Sequence, residues 1–245
     1  MHEYLVAVAH GSKDPRAAAC VGELTSLVRS RYARPGMELR TAYLGHAAPL
    51  LPQVLGSIEP GRKVTVLPLL LTAAYHSKTD IPRMLARTPH LVTYADPLGP
   101  HPLLLRALER RLAEAGADLS GGGRAATGVV LAAAGSSDPE ANATIARLAA
   151  QWQAERGWRA VRPAYASAAS PTVTDAVAAL RRGGARRVVV ATYLLAPGFF
   201  ADRIRREARS GGVHTVSAAL GAAPEVASVV LDRYLMARSS SRAAA

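Results

Sequence analysis

The sequence is poor in several things at once. It has one cysteine, Cys20, so no disulfide can form within the chain, and a reducing, cytoplasmic setting is expected. Cys20 falls in an expected helix, where it reads as a packing residue. No apolar run reaches the roughly eighteen residues a spanning helix needs, so no membrane partner is expected. Aromatic residues make up only 5% of the chain, with two phenylalanines. No basic block with interleaved aromatics occurs, which argues against stacking on single-stranded nucleic acid. No basic, apolar and small-residue series opens the chain, so no signal peptide is expected. Cysteine clusters and HExxH spacing are also missing, and with them the usual signs of a structural zinc site.

Acidic residues are scarce as well. Eighteen Asp and Glu stand against thirty Lys and Arg, a formal net charge of +12. Such a chain should attract anions, whether nucleic acid, an acidic membrane or an acidic small molecule, and with single-strand stacking poorly supported an acidic small ligand remains open. Free use of arginine on a solvated surface gives the same total.

What is present is a regular alternation of strand and helix signals. Residues 5–9 form an unbroken apolar run, as a parallel strand covered on both faces would. Further strands are expected at 39–44, 64–71 and 91–95. Helices are expected at 15–33, 49–56, 81–87 and 101–115. This pattern predicts a parallel sheet flanked by helices and joined by right-handed crossovers.

The pattern then repeats. Ala9-His10-Gly11-Ser12 aligns with Ala133-Ala134-Gly135-Ser136, and Asp14-Pro15 with Asp138-Pro139. Ala42-Tyr43 and Pro49 return as Ala164-Tyr165 and Pro171. Leu98-Gly99 returns as Leu220-Gly221. Turn residues preserved at so many places indicate a duplicated α/β unit. The expected organisation is an N-terminal half over 1–117, a Gly-rich linker over 118–128, a C-terminal half over 129–238 and a disordered tail over 239–245. Each half should carry a four-stranded parallel sheet, the two related by pseudo-two-fold symmetry.

The duplication serves as an internal control. All histidines except His214 lie in the first half. His10, His46, His76 and His101 align with Ala134, Ala168, Phe200 and Ala223. A histidine kept for packing should appear in both copies, so the first half carries the chemistry. His10 follows the first strand and His76 the third. Neighbouring strands would bring both imidazoles to the carboxyl edge of one sheet, where open α/β folds bind ligands. Two imidazoles hold a divalent metal while leaving positions open. His46, after the second strand, is a third candidate. Ser12 and Lys13 open a helix and could receive an anion. Arg203 and Arg206, after the strand that matches the one before His76, could clamp carboxylates. His101 reads as a helix start, and His2, His90 and His214 as surface residues.

The paired stretches AHGSKDP and LPLLLTAAYHSKTDIP resemble the CbiX/SirB group of class II tetrapyrrole chelatases, the sirohydrochlorin cobalt- and ferrochelatases. The resemblance spans both halves, like the long two-half form. It implies chelatase-like half-domains and insertion of Fe2+, or next Co2+ and then Ni2+, into sirohydrochlorin, for sirohaem or cobalamin synthesis. The metal is then a substrate, and no organic cofactor is implied. His10 and His76 would hold it and accept pyrrole protons, and Ser12, Lys13, Arg203 and Arg206 would meet the acidic tetrapyrrole. The family often has a glutamate after strand 2. Here that position is Gly45, with His46 beside it as a substitute ligand. A monomer is expected, because the duplication supplies both halves. A carrier without turnover is the alternative. A histidine phosphatase is a weaker one, since Ala9 replaces the arginine that chemistry wants before its histidine.

Overall fold

The computed structural model describes residues 3–32, 36–73 and 79–243. Its elements run β1 (Glu3–Ala9), α1 (Pro15–Tyr32), β2 (Met37–Tyr43), α2 (Leu51–Gly56), β3 (Lys63–Pro68), α3 (Ile81–Leu85), β4 (Leu91–Tyr94) and α4 (Pro102–Glu114). The repeat follows as α5 (Gly121–Ala126), β5 (Thr127–Ala133), α6 (Pro139–Arg156), β6 (Ala160–Tyr165), α7 (Val173–Arg182), β7 (Arg187–Tyr193), α8 (Phe199–Ser210) and α9 (Pro224–Ala243). No helix among the described residues is long and apolar enough to cross a membrane.

The first sheet has the order β2-β1-β3-β4, all parallel. Residues 5–9 of β1 are buried throughout, as the apolar run requires of a central strand. The order in which strands are added reverses between β1 and β3, which makes their carboxyl ends the crevice where such sheets take ligands. Val6, Val8, Ala42, Leu51 and Val66 fill one side of this sheet.

The second sheet has three strands, β6-β5-β7, rather than the four expected. Residues 213–217 do run beside β7, but a single bridge, Val190 to Val216, marks the contact. Val190 N–H donates to the Thr215 carbonyl at 3.0 Å, and Ser217 N–H to the Val190 carbonyl at 2.9 Å. Beyond that point side chains replace the ladder. Thr192 N–H donates to Ser217 Oγ at 2.9 Å, and Thr192 Oγ1 to the Ser217 carbonyl at 2.8 Å. A hydroxyl standing in for a carbonyl ends the fourth strand before it forms.

Compact units differ from the halves read in sequence. Unit 1 is Met1–Leu103 with Gly221–Ala245, and unit 2 is Leu104–Leu220. Within unit 1, α9 packs against α1, β3 and β4. Tyr234 donates to the Glu3 carboxylate at 3.1 Å, and Arg238 pairs with it at 3.0 Å. Residues 239–243, expected in a disordered tail, are therefore helix. Their serines donate back to main-chain carbonyls, Ser239 to Leu235 and Ser240 to Met236.

Most of α4 belongs to unit 2. There Glu109 accepts from Trp152 Nε1 at 3.1 Å and lies 3.4 Å from Arg156 and 3.6 Å from Arg124. Arg124 sits on α5, in the stretch expected to be linker. Ser120 caps α5 by accepting from Gly123 N–H, and Thr127 Oγ1 donates to the Gly123 carbonyl. Gly123 is buried, and a Cβ there would meet the Asp118 carboxyl at 2.3 Å. Caps and close packing thus hold a helix that three glycines would not form alone.

Candidate active site

His10 leaves the carboxyl end of β1 and is exposed. The chain after β2 is tied directly to it. Leu44 N–H donates to the Ala9 carbonyl at 3.0 Å, and Gly45 N–H to the His10 carbonyl at 3.2 Å. Gly11 makes that approach possible: its φ is +88°, and a Cβ there would lie 1.7 Å from the Gly45 carbonyl oxygen. Ala47 N–H reaches back to the Gly45 carbonyl at 2.8 Å, closing a three-residue turn about His46. His46 has φ +60°, a conformation non-glycine residues adopt rarely and at some strain.

The turn brings two imidazoles together. The rings of His10 and His46 stack with centroids 6.2 Å apart and planes 24° from parallel. His10 Nδ1 lies 3.1 Å from the Gly11 carbonyl. A carbonyl only accepts, so Nδ1 carries the proton in that bond, and the lone pair of the neutral ring is on Nε2. Such a bond fixes the ring's orientation. His76 lies within residues 74–78, outside the described residues. β3 does run beside β1, and Leu69 N–H donates to the Val8 carbonyl at 2.7 Å, so the chain that leads to His76 starts next to His10. Among the described residues no three His, Cys, Asp or Glu side chains cluster as a closed metal site.

The second unit repeats this backbone without the imidazoles. Gly135 has φ +85°, and a Cβ there would lie 1.8 Å from the Ser167 carbonyl oxygen. Ala166 N–H donates to Ala133 and Ser167 N–H to Ala134, both at 2.9 Å. Ala168 has φ +58° at the position of His46, and the Ala48–Pro49 and Ser170–Pro171 bonds are both cis. The loop scaffold is common to the copies, and the two rings are what the first copy adds.

Ser12 behaves differently from the histidines. Its Oγ accepts from Asp14 N–H at 3.1 Å, and Ser136 Oγ accepts from Asp138 N–H at 3.0 Å in the second copy. A contact present in both copies is a turn contact. The Arg16 guanidinium beside Asp14 holds that carboxyl below the usual carboxylate range. Lys13 is exposed.

Arg203 and Arg206 lie on α8 of unit 2. Arg203 Nε donates to Glu207 Oε1 at 2.8 Å, and Glu207 Oε2 also accepts from Val173 N–H, while Arg206 is exposed. Among the other histidines, His90 is buried and not a surface residue; its Nε2 lies 2.9 Å from the Leu55 carbonyl. His101 does start a helix, since Leu103 N–H donates to its Nδ1 at 3.2 Å.

Sequence reasoning missed Phe199 and Phe200. They open α8, are 66% and 38% exposed, and meet edge to face with ring centroids 5.6 Å apart. The available signal was their scarcity: they are the chain's two phenylalanines, adjacent, with Phe200 aligned to His76.

A family model described as CbiX matches the chain twice, over residues 4–115 and 128–237. A sirohydrochlorin ferrochelatase of Priestia megaterium is 28% identical over 207 residues, covering 82% of this chain and 76% of the relative. A sirohydrochlorin cobaltochelatase of the same organism is 26% identical over 204 residues, 80% of this chain. The chain spans 65% of that relative's length. Among solved structures, SirB from Bacillus subtilis with Fe3+ has a similar fold, with a TM-score of 0.80 at 24% identity over 99% of this chain and 98% of that one.

Proposed function

The chain belongs to the CbiX family, and from that premise we propose that it is a sirohydrochlorin chelatase, inserting Fe2+, or next Co2+, into the tetrapyrrole. The observation that carries this reading is the histidine pair raised at the end of β1 on a loop that the second unit copies with alanines.

Insertion exchanges one divalent metal for two pyrrole protons. The site must hold the metal loosely, release it to the ring, and take up protons near neutral pH. Imidazole does all three, having an ordinary pKa of about 6.5 and affinity for borderline metals. His10 presents Nε2 to the metal, with Nδ1–H fixed on the Gly11 carbonyl. His46 stacks beside it as a second imidazole and substitutes for a carboxylate at Gly45. His76 supplies the further ligand or base. Two or three neutral nitrogens leave coordination positions open for the incoming ring.

The test is anaerobic incubation of the purified chain with sirohydrochlorin and Fe2+ or Co2+, followed by absorbance. Many turnovers per chain are expected. His10→Ala and His76→Ala should each lower the rate by about 100-fold or more. Uptake that stops at one equivalent would make the protein a carrier instead.

A further inference from the structure

An outer strand leaves main-chain groups unpaired, and β2 and β6 are protected against a stray partner. β2 carries Glu38 and Arg40, paired at 2.7 Å, and β6 carries Arg162 and Pro163. Charges and proline on an edge discourage another strand from adding to it. β4, with the sequence Leu91-Val92-Thr93-Tyr94, carries neither, and Leu91 is 63% exposed. Leu91 N–H donates to the Arg62 carbonyl at 3.1 Å and Ala95 N–H to the Val66 carbonyl at 2.9 Å, both toward β3. Main-chain groups alternate in direction along a strand, so those of Val92 and Tyr94 face outward. A groove of about 410 Å3 follows this edge. Five consecutive residues, Val92 to Asp96, line it, and Met236, Ser240 and Ser241 of α9 stand across from them. Successive side chains point to opposite faces of a sheet, so what five in a row share is the edge itself.

We propose that the β4 edge is an interface for a second copy of this chain, the two edges pairing antiparallel about a two-fold axis. A closed dimer presents one patch to itself, and an edge strand does that only antiparallel. Outward-facing residues alone can exchange main-chain bonds, which limits the register. The central register sets Val92 opposite Tyr94 of the other copy and Thr93 opposite itself, on the axis. It also turns the Asp96 end of each edge toward the Arg87 end of the other. Both residues are exposed, and among the described residues neither has an ion-pair partner. Opposite charges at the two ends of one strand complement an antiparallel mate, whereas a parallel mate would set like against like. Pairing also covers Leu91 and Met236, which are 63% and 57% exposed. Such a dimer departs from the monomer expected of a duplicated chain, and it is independent of the chelatase reading.

The experiment is sedimentation equilibrium on the full chain over a concentration series. The wild-type mass should climb from 25.7 kDa toward twice that between about 1 μM and about 100 μM, because one short seam makes a small interface. Thr93→Lys and Thr93→Asp each set like charges face to face on the axis, and each should weaken the dimer by about tenfold or more. Mixed in equal amounts, the two variants should recover a dimer, since opposite charges then meet there. A misfolded variant cannot give that recovery. Leu91→Lys, at an exposed position of the same strand, should also weaken the dimer, and Phe199→Ala, which removes an exposed ring from α8, should not. A wild type that stays at 25.7 kDa throughout overturns the proposal. So does a dimer that survives both Thr93 variants unchanged, or a mixture that stays monomeric although both variants keep the wild-type Tm. A dimer lost in Phe199→Ala and kept in Thr93→Lys overturns it too, by moving the interface to α8.

Discussion

His10 and His46 stack at 6.2 Å because Gly11 lets the loop after β2 lie against the end of β1. A Cβ at Gly11 would sit 1.7 Å from the Gly45 oxygen, and φ is +88°. Gly11→Ala must therefore push the loop away, at a cost of at least about 2 kcal/mol. Gly135→Ala, with its Cβ 1.8 Å from the Ser167 oxygen, should destabilise comparably. The two should part on metal binding: Gly11→Ala loses it and Gly135→Ala retains it. Urea denaturation with parallel Co2+ titration reads both effects. Equal loss of metal binding in the two variants would show that the loop does not set the pair.

Much of this loop is legible in the sequence. The run at 5–9, the turn at Gly11 and the matching turn at Gly135 define β1, β5 and their loops through local sterics, which a sequence displays directly. The His10–His46 pairing was legible only as a possibility, since a positive φ at His46 depends on contacts with β1. Long-range packing was not legible. The exchange that sets α9 against β3 and β4 leaves no local mark, and both halves read as continuous. Three glycines at 121–123 signalled a linker because their low helix propensity is local, whereas the Ser120 cap and the Asp118 packing that override it are tertiary. The exposure of Phe199 and Phe200 was not legible either, because phenylalanine is more often buried than exposed.

The second copy predicts how His46 can be replaced. Ala168 holds φ +58° in the same loop, so an alanine already tolerates this backbone. His46→Ala should keep the fold, with stability within about 0.5 kcal/mol of wild type. Co2+ affinity should fall by about tenfold or more if His46 is a ligand. Unchanged affinity would leave His10 and His76 as the site.

A similar comparison applies to the start of α2. Thr172 caps α7 by accepting from Asp175 N–H, and the Asp175 carboxylate returns to Thr172 N–H. At the matching position Leu50 has no acceptor and is 38% exposed, although Gln53 Oε1 still accepts from Leu50 N–H. Leu50→Thr would complete the reciprocal cap. It should add about 1 kcal/mol, or roughly 2–4 °C in Tm by calorimetry. No gain would mean that the first turn of α2 is not limiting.

His101 makes stability depend on pH. Burial pushes its pKa below the ordinary 6.5, Arg233 adds to the shift, and Asp232, 3.8 Å away, opposes it. Its Nδ1 must stay unprotonated to accept from Leu103 N–H at the first turn of α4. The folded chain therefore holds His101 neutral at pH values where the unfolded chain has begun to protonate it. With more protons bound by the unfolded state, stability rises with pH across the interval between the folded and unfolded values. The contribution is complete above the unfolded value and is lost as pH falls through about 6.5 and below. His101→Asn keeps a side-chain acceptor for Leu103 N–H but does not titrate. Urea midpoints measured from about pH 7.5 to about pH 5.5 should fall more steeply for wild type than for His101→Asn. Parallel curves would show that His101 does not carry the acid sensitivity, and a variant already weakened at about pH 7.5 would show that asparagine does not reproduce the cap.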